Sequence, residues 1–143
     1  MTIDLTCIFC KIIRGKIPAR ILEQDDLAVV ILDAFPLSAG HALVIPKFHY
    51  PKVQDMDQDS THSVFDLVRK ISAALENAMD VNSTTIAIHN GKEAGQEIPH
   101  LHVHIVPRTK NDGAGPIHSM FKRRPNLNSD QVELIYRNIR NTL

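Results

Sequence analysis

The sequence predicts an α+β fold with an antiparallel sheet of about five strands, one long helix, a short N-terminal helix and a C-terminal helix. Three observations predict it. Strand-like segments mostly follow one another as neighbours, the stretch 60–79 has the apolar spacing of a long helix, and no repeat or linker divides the 143 residues. Neighbouring strands favour an antiparallel sheet over a doubly wound parallel one. The length fits a single domain over 1–143, with a core at 7–108 and a C-terminal tail at 109–143.

The first half of the chain alternates between strands and turns after an initial helix. Apolar residues at helical spacing in CIFCKIIRG predict a short helix that ends at Gly15. Two strands joined at 24–26 are predicted from ARILEQDDLAVVILD, and the second is a buried apolar run over 27–32. The residues AFPLSAG predict a turn, and HALVIP is the next strand, ended by Pro46.

The second half contains the longest predicted helix. Over 60–79 one helical face is apolar, with Val64, Leu67, Val68, Ile71, Leu75 and Ala78. A strand at 84–89 is predicted from STTIAIHN, and the loop NGKEAGQEIP leads to a further strand in PHLHVHIVPR. After the loop TKNDGAGP, a C-terminal helix is predicted from SDQVELIYRNIRN, with one apolar face made by Val132, Ile135, Tyr136 and Ile139.

The charge balance excludes one class of partner. Sixteen Lys and Arg residues match sixteen Asp and Glu residues, so the chain lacks the basic field that sequence-independent nucleic-acid binding needs. The run 122–124 is basic, and a solvated surface turn explains it. No window is apolar enough to span a bilayer, and no N-terminal segment joins a basic start to an apolar run. We therefore expect a cytoplasmic protein without a nucleic-acid or membrane partner.

The two cysteines, Cys7 and Cys10, lie together in CIFC. In a reducing compartment this spacing indicates a metal half-site or a redox pair more than a structural disulfide. A redox pair usually lies where a strand leads into a helix. Nothing strand-like precedes Cys7, so the spacing favours a metal half-site.

The segment PHLHVHIVPR carries histidines at alternate positions, His100, His102 and His104. On a strand these side chains point the same way, about 6.6–6.8 Å apart, while the apolar residues between them face the other side. Three imidazoles on one face of a strand are less favourable in folding free energy than the Val or Thr that strands prefer. The pattern therefore favours a chemical role over simple packing.

The spacing bears on two chemical roles, a metal site and a nucleophile that attacks phosphorus. Three successive same-face positions spread too far for all the rings to reach one zinc ion at about 2.0–2.1 Å, although a pair can do so. Alternatively, the middle imidazole attacks phosphorus through an unprotonated nitrogen, while its other nitrogen donates to a backbone carbonyl. A neighbouring histidine then binds phosphate oxygens or delivers a proton to the leaving group.

The residues HLHVHIV resemble the His-φ-His-φ-His-φ-φ signature (φ apolar) of the histidine-triad family of nucleotide hydrolases and transferases. The segments CIFCKIIRGKIPARILEQDD, LDAFPLSAGHALVIPKFH and AIHNGKEAGQEIPHLHVHIVPR also resemble family segments, in the same order. The likeness runs from about Cys7 to Arg108 and leaves the tail outside it. It implies the histidine-triad fold, a purine nucleotide or nucleotide conjugate as substrate, and a homodimer whose sheets join.

The resemblance also implies catalytic roles. His102 corresponds to the nucleophile, His104 to the residue that contacts the α-phosphate and activates the leaving group, and His41 to the histidine that supports them. Because the family's nucleotidyltransferases carry glutamine at the position of His104, its retention favours hydrolysis. Some phosphoramidases of the family carry a hydroxyl residue where this chain has Glu97, which leaves the preferred leaving group open.

Nucleotide-binding residues follow in the same way. Asp33 corresponds to the acid that accepts both ribose hydroxyls, although an Asp that only caps the turn before Pro36 would also fit. The walls around the base correspond to Ile8, Phe9, Ile12, Ile31 and Leu32. The phosphate loop corresponds to Asn90, Gly95, Gln96 and Glu97, where glycine lets backbone N–H groups approach an anion. No role is assigned to His62, His89 or His118.

A zinc site is also implied. Several bacterial and archaeal members of the family resemble this chain at Cys7, Cys10, His49 and His100. Two thiolates and two imidazoles suit a closed, tetrahedral, structural Zn²⁺ that the chemical step does not require. His102 and His104 then remain available for catalysis.

The activity implied is hydrolysis at the α-phosphorus of a nucleoside monophosphate conjugate, of the phosphoramidase type, through a covalent nucleotidyl-histidine. A dinucleoside polyphosphate hydrolase needs the same triad and fits the same residues. A nucleotide-sensing or interaction module with low turnover would also carry this site. A metalloenzyme would instead use His100, His102 and His104 as ligands.

Overall fold

The computed structural model describes residues 2–143. Its helices are α1 (Ile8–Ile13), α2 (Gln58–Met79) and α3 (Ser129–Arg140). The strands are β1 (Ile21–Gln24), β2 (Ala28–Leu32), β3 (Ala42–Pro46), β4 (Thr84–Ala87) and β5 (Val103–Pro107). The chain forms two compact units, the first ending at Lys110 and the second covering Asn111–Leu143.

The strands of the described chain form one sheet in the order β1-β2-β3-β5-β4, and every neighbouring pair is antiparallel. The α+β class and the antiparallel sheet are therefore confirmed. In the register, Leu43 of β3 lies opposite His104 of β5, and Ala87 of β4 lies opposite the same histidine on its other side. The histidine motif thus lies towards one edge of the sheet, with only β4 beyond it.

One face of the sheet carries the larger core. Helix α2 packs its apolar side against inward side chains of the central strands. The helix begins at Asp57, whose carboxylate accepts a hydrogen bond from the Ser60 N–H, and ends at Asp80, which has a left-handed φ of 53°. Val103 and Ile105 of β5 belong to this core and are fully buried.

The other face carries α1 and a smaller core. Phe9 and Cys10 of α1 pack with Cys7 against side chains of β2 and β3, namely Val29, Ile31, Leu43 and Ile45. Because side chains alternate along a strand, His104 projects to this face while Val103 and Ile105 project to the α2 face. The alternation predicted from the sequence is therefore present.

The strand predicted in PHLHVHIVPR is shorter than its pattern. It begins at Val103, because the residues before it bond outside the β3–β5 ladder. The His100 N–H donates to the Ile98 carbonyl at 2.8 Å, and the Leu101 N–H donates to the Tyr50 carbonyl at 2.6 Å. His100 is consequently held against the segment that follows β3.

The second unit contains the C-terminal helix that the sequence predicts. The Asn128 side chain accepts a hydrogen bond from the Gln131 N–H, and the Gln131 side chain accepts one from the Asn128 N–H. This capping box fixes the start of α3. Across residues 2–143, no helix combines the length and apolarity that crossing a membrane requires.

Candidate functional site

A pocket of about 790 Å³ opens on the α1 face of the first unit. This volume lies within the usual range of small-molecule sites, about 300–1,000 Å³. One end is apolar, lined by Ile8, Phe9, Ile12, Ile17, Ile31 and Leu32. The other end is polar, lined by Asp33, His41, His89, Glu97, His102 and His104. The pocket therefore offers an apolar slot that leads to a group of four imidazoles.

His102 is buried and lines this pocket. Its Nδ1 lies 2.7 Å from the carbonyl oxygen of His100, and a carbonyl can only accept, so Nδ1 carries the proton. Nε2 is then unprotonated and has a free lone pair. Burial lowers the pKa of His102, which keeps the ring neutral near pH 7. This tautomer is the one that a nucleophile needs.

His41 and His104 are joined by a hydrogen bond between their rings. The Leu37 N–H donates to His41 Nδ1 at 3.1 Å, so the proton of the neutral ring is on Nε2. That Nε2 lies 3.0 Å from His104 Nδ1 and donates to it. The remaining proton of His104 is therefore on Nε2. Burial, and then the charges of neighbouring imidazoles, lower the pKa of His104 to about 4.

Asp33 lies beside this pair at the end of β2. Its Oδ2 is 3.6 Å from His41 Nδ1, too far for a good hydrogen bond. Its Oδ1 accepts a 2.8 Å hydrogen bond from the Phe35 N–H, as a turn-capping aspartate does. Both oxygens keep lone pairs for a ligand, and the residue lines the pocket.

The side chains of Asn90 and Gln96 brace the loop 90–96. Asn90 Oδ1 accepts from the Val53 N–H at 2.9 Å, and Gln96 Nε2 donates to the Pro51 carbonyl at 2.8 Å. Gln96 also accepts from the Gly91 N–H at 3.0 Å. Among residues 2–143, the pocket lining includes Gly95 and Glu97 of this loop but neither amide side chain.

A second site lies behind His102, where four ligand atoms converge within 4.8 Å of one another. His100 Nδ1 is 3.4 Å from Cys7 Sγ and 3.5 Å from Cys10 Sγ, and His49 Nδ1 is 3.5 Å from Cys10 Sγ. A tetrahedral zinc with ordinary Zn–S and Zn–N bonds separates sulfur from nitrogen by about 3.6 Å. The donor set therefore fits structural zinc.

The protonation of His100 also suits a metal ligand. Its Nε2 lies 2.8 Å from the Pro46 carbonyl and donates to it, which leaves a lone pair on Nδ1 facing the two thiols. Burial lowers the pKa of His100 to about 4, so the ring is neutral as a ligand must be. His100 thus faces the cysteine cluster, and its ligand atom does not converge with those of His102 and His104.

The family model for the HIT domain, the histidine-triad domain, matches residues 14–111. The chain belongs to the HIT family. It is 37% identical to an adenylylsulfatase of Arabidopsis thaliana over 134 residues, which cover 94% of this chain and 68% of the relative. It is 36% identical to an adenosine 5′-monophosphoramidase of Schizosaccharomyces pombe over 108 residues, which cover 76% of this chain and 78% of the relative.

Solved HIT structures share the fold. A zinc-bound histidine triad family protein from Mycobacterium smegmatis superposes with a TM-score of 0.73 and 32% identity, over 85% of each chain. The family and its named relatives support a nucleotide hydrolase activity for this HIT protein in general terms. The zinc-bound neighbour, together with the Cys/His cluster, supports a zinc site.

The HIT pocket brings together most of the residues that the sequence singled out. The three catalytic candidates, Asp33, the five apolar wall residues, Gly95 and Glu97 all line it. The predicted phosphate contacts of Asn90 and Gln96 stay predictions, because their side chains are engaged with the segment 51–54 and with Gly91.

Sequence reasoning missed His89. It lines the pocket, and its ring centroid is 5.4 Å from that of His104. The available signal was its position two residues after the strand at 84–87. Only the pairing of Ala87 with His104 shows that this strand lies next to β5 and brings His89 to the site.

Proposed function

We propose that this HIT protein hydrolyses nucleoside monophosphate conjugates at the α-phosphorus, with a phosphoramidase-type reaction, through a covalent nucleotidyl-His102. The hydrogen bond from His102 Nδ1 to the His100 carbonyl carries the proposal, because it leaves Nε2 unprotonated at the polar end of the pocket. The S. pombe relative, named an adenosine 5′-monophosphoramidase, supports the choice of leaving group.

The pocket gives each part of a nucleotide a place. The purine packs in the apolar slot, where Phe9 also makes an edge contact with the His102 ring at 5.0 Å between centroids. Asp33 accepts the ribose hydroxyls at the end of β2. The α-phosphate then lies against the adjacent rings of His102 and His104, whose centroids are 4.9 Å apart, within reach of both Nε2 atoms.

The reaction proceeds in two displacements. His102 Nε2 attacks phosphorus, a P–N bond forms to the histidine, and the bond to the leaving group breaks with its electron pair going to the leaving atom. His104, held by His41, donates a hydrogen bond from Nε2 to the leaving atom, and the amine takes the proton with which it departs from solvent water. A second water then attacks the phosphorus and loses a proton to solvent, the P–N bond to His102 breaks, and the nucleoside monophosphate leaves with His102 restored.

Zn²⁺ contributes no step in this mechanism. Cys7, Cys10, His49 and His100 would hold it, and a closed four-ligand zinc supplies cross-linking of the fold rather than Lewis acidity at the phosphate. By resemblance we also expect a cytoplasmic homodimer.

The test is a trapped intermediate. Wild-type protein quenched during turnover of adenosine 5′-phosphoramidate should carry an AMP adduct on His102, found by mass spectrometry of the digested chain. His102→Asn should abolish turnover and still bind AMP, while His62→Asn, at an exposed position of α2, should behave as wild type. Full activity in His102→Asn would falsify the assignment.

A second candidate reaction is the cleavage of a nucleotide–sulfate anhydride. The Arabidopsis relative, named an adenylylsulfatase, supports it over almost the whole length of this chain. The same attack on the α-phosphorus serves both reactions, as it does for dinucleoside polyphosphates. Rates on adenosine 5′-phosphoramidate, adenosine 5′-phosphosulfate and diadenosine polyphosphates would rank the three.

A further inference from the structure

The pocket contains one imidazole that its neighbours leave available. The Nδ1 of His102 donates to a backbone carbonyl. The Nε2 of His41 donates to His104, and its Nδ1 accepts from the Leu37 N–H. Over residues 2–143, by contrast, no hydrogen bond of the protein involves the His89 ring. The ring is half-buried and lines the pocket. Both of its nitrogens are therefore available to a ligand.

The backbone around His89 keeps this ring near the other imidazoles. Gly95 has a left-handed φ of 94°, and a Cβ added there would lie 3.9 Å from His89 Nδ1. The loop therefore runs beside the ring on one side, and the His104 ring lies 5.4 Å away between centroids on another. After burial, the charge of His89 is among the causes that lower the pKa of both His102 and His104, so it lies within electrostatic reach of the reacting centre.

In the order of the strands, His89 lies on the far side of His104 from the apolar slot. The apolar slot is formed by α1, β2 and the segment before β1. The sheet order then runs through β3 and β5 to β4, and His89 follows β4 by two residues. When a nucleotide binds as proposed above, with its base in the slot and its phosphorus at His102, a leaving group that extends away from the slot meets His89.

We propose that His89 binds the leaving group and favours conjugates whose leaving group is an oxyanion over those whose leaving group is an amine. The inference rests on the proposed function, since it assumes attack by His102 at the α-phosphorus. It names a residue that selects the substrate class within that reaction.

The chemistry of the two leaving groups explains the selection. When the bond from phosphorus to a bridging oxygen breaks, the electron pair stays on that oxygen, and sulfate or phosphate departs with new negative charge. An N–H of His89 donates to this charge as it develops, and such donors stabilise the transition state most strongly. An amine that departs with a proton develops no negative charge, so the same N–H has little to stabilise.

The experiment compares two probes on the full-length chain, adenosine 5′-phosphosulfate and adenosine 5′-phosphoramidate. His89→Ala should lower kcat/KM for the sulfate conjugate by about 100-fold, the lower end of the cost of removing one oxyanion donor. The fall for the amidate should be smaller by about tenfold or more. His89→Gln, which keeps an N–H donor of similar reach, should recover part of the sulfate rate. His62→Ala is the matched control and should change neither rate.

The remaining outcomes separate the two proposals. Wild-type protein that cleaves neither probe overturns the proposed function itself. Wild-type protein that cleaves only the amidate, or a His89→Ala variant whose two rates are unchanged or fall by the same factor, overturns the role of His89 alone. Thermal unfolding of each variant, measured in parallel, shows that a selective loss does not come from misfolding.

Discussion

The imidazole of His102 donates its Nδ1 proton to the backbone carbonyl of His100, 2.7 Å away. The residue that supplies the proposed nucleophile and the residue that supplies a proposed zinc ligand are thus joined by one hydrogen bond. The His100 ring points to the cysteine cluster while its carbonyl points to the pocket. Phe9 joins the two sites a second time, since its ring contacts both histidines edge-on.

Removal of zinc should lower stability before it lowers the chemical rate. His49→Gln should lose the metal and several degrees of Tm, because structural zinc contributes folding free energy directly. His62→Gln, the same substitution at an exposed position, should keep both. Elemental analysis and thermal unfolding measure these effects. If His49→Gln or a chelator stops turnover with Tm unchanged, the metal acts in the chemistry and its structural role is wrong.

Replacement of His41 should weaken the chemical step more than nucleotide binding. In His41→Ala, His104 Nδ1 loses the donor that fixes its tautomer, and the proton no longer has to lie on Nε2. We expect kcat to fall by about 100-fold, the lower end of what a positioned acid or base contributes, with a smaller change in KM. Steady-state kinetics would measure kcat and KM, with His118→Ala, at an exposed position, as the control. A change in KM alone would assign His41 to binding.

Binding of AMP should take up protons near neutral pH. In the free protein the pKa of His104 is about 4, mainly because of burial, so the ring is neutral at pH 7. A phosphate anion beside it favours the charged form and raises its pKa, so a fraction of a proton enters with the ligand. Calorimetry in buffers of different ionisation enthalpy measures the uptake. Binding with proton release, or with no proton change, would contradict this account of His104.

Gln96→Ala should destabilise the loop. The side chain accepts from the Gly91 N–H and donates to the Pro51 carbonyl, and its loss leaves two backbone groups without their partner. We expect the free energy of unfolding to fall by about 0.5–1.5 kcal/mol, because the Pro51 carbonyl is exposed and water replaces its lost partner. A larger loss of AMP affinity than of stability would instead support the phosphate contact that the family resemblance implies. Chemical denaturation and AMP titration, run on the same samples, separate the two.

The sequence predicted the sheet, the long helix and the triad because each depends on short-range pattern. Alternation in 100–105 places the histidines opposite Val103 and Ile105, and that relation is local to the strand. The role of His89 could not be read in this way. It depends on which strand pairs with β5, and no local pattern in the residues 84–89 specifies that β4 is the neighbour.

Asn90 and Gln96 show the same limit of prediction from local sequence. Their residue types suit a phosphate loop, and one nearby group, the Gly91 N–H, donates to Gln96. The other competing groups are the Val53 N–H and the Pro51 carbonyl, about forty positions earlier in the chain, which approach only when the segment after β3 folds over the loop. Long-range satisfaction of backbone groups was therefore the missing information.

The alternation along β5 also bears on the cooperativity of unfolding. The same β3–β5 ladder that buries Val103 in the α2 core holds His104 in the pocket, so opening that ladder disrupts both at once. A form of the first unit that has lost this pairing therefore loses the position of His104, a proposed catalytic residue, together with part of the core. Catalytic rate then reports the global transition: denaturation profiles followed by enzyme activity and by backbone circular dichroism should have the same midpoint.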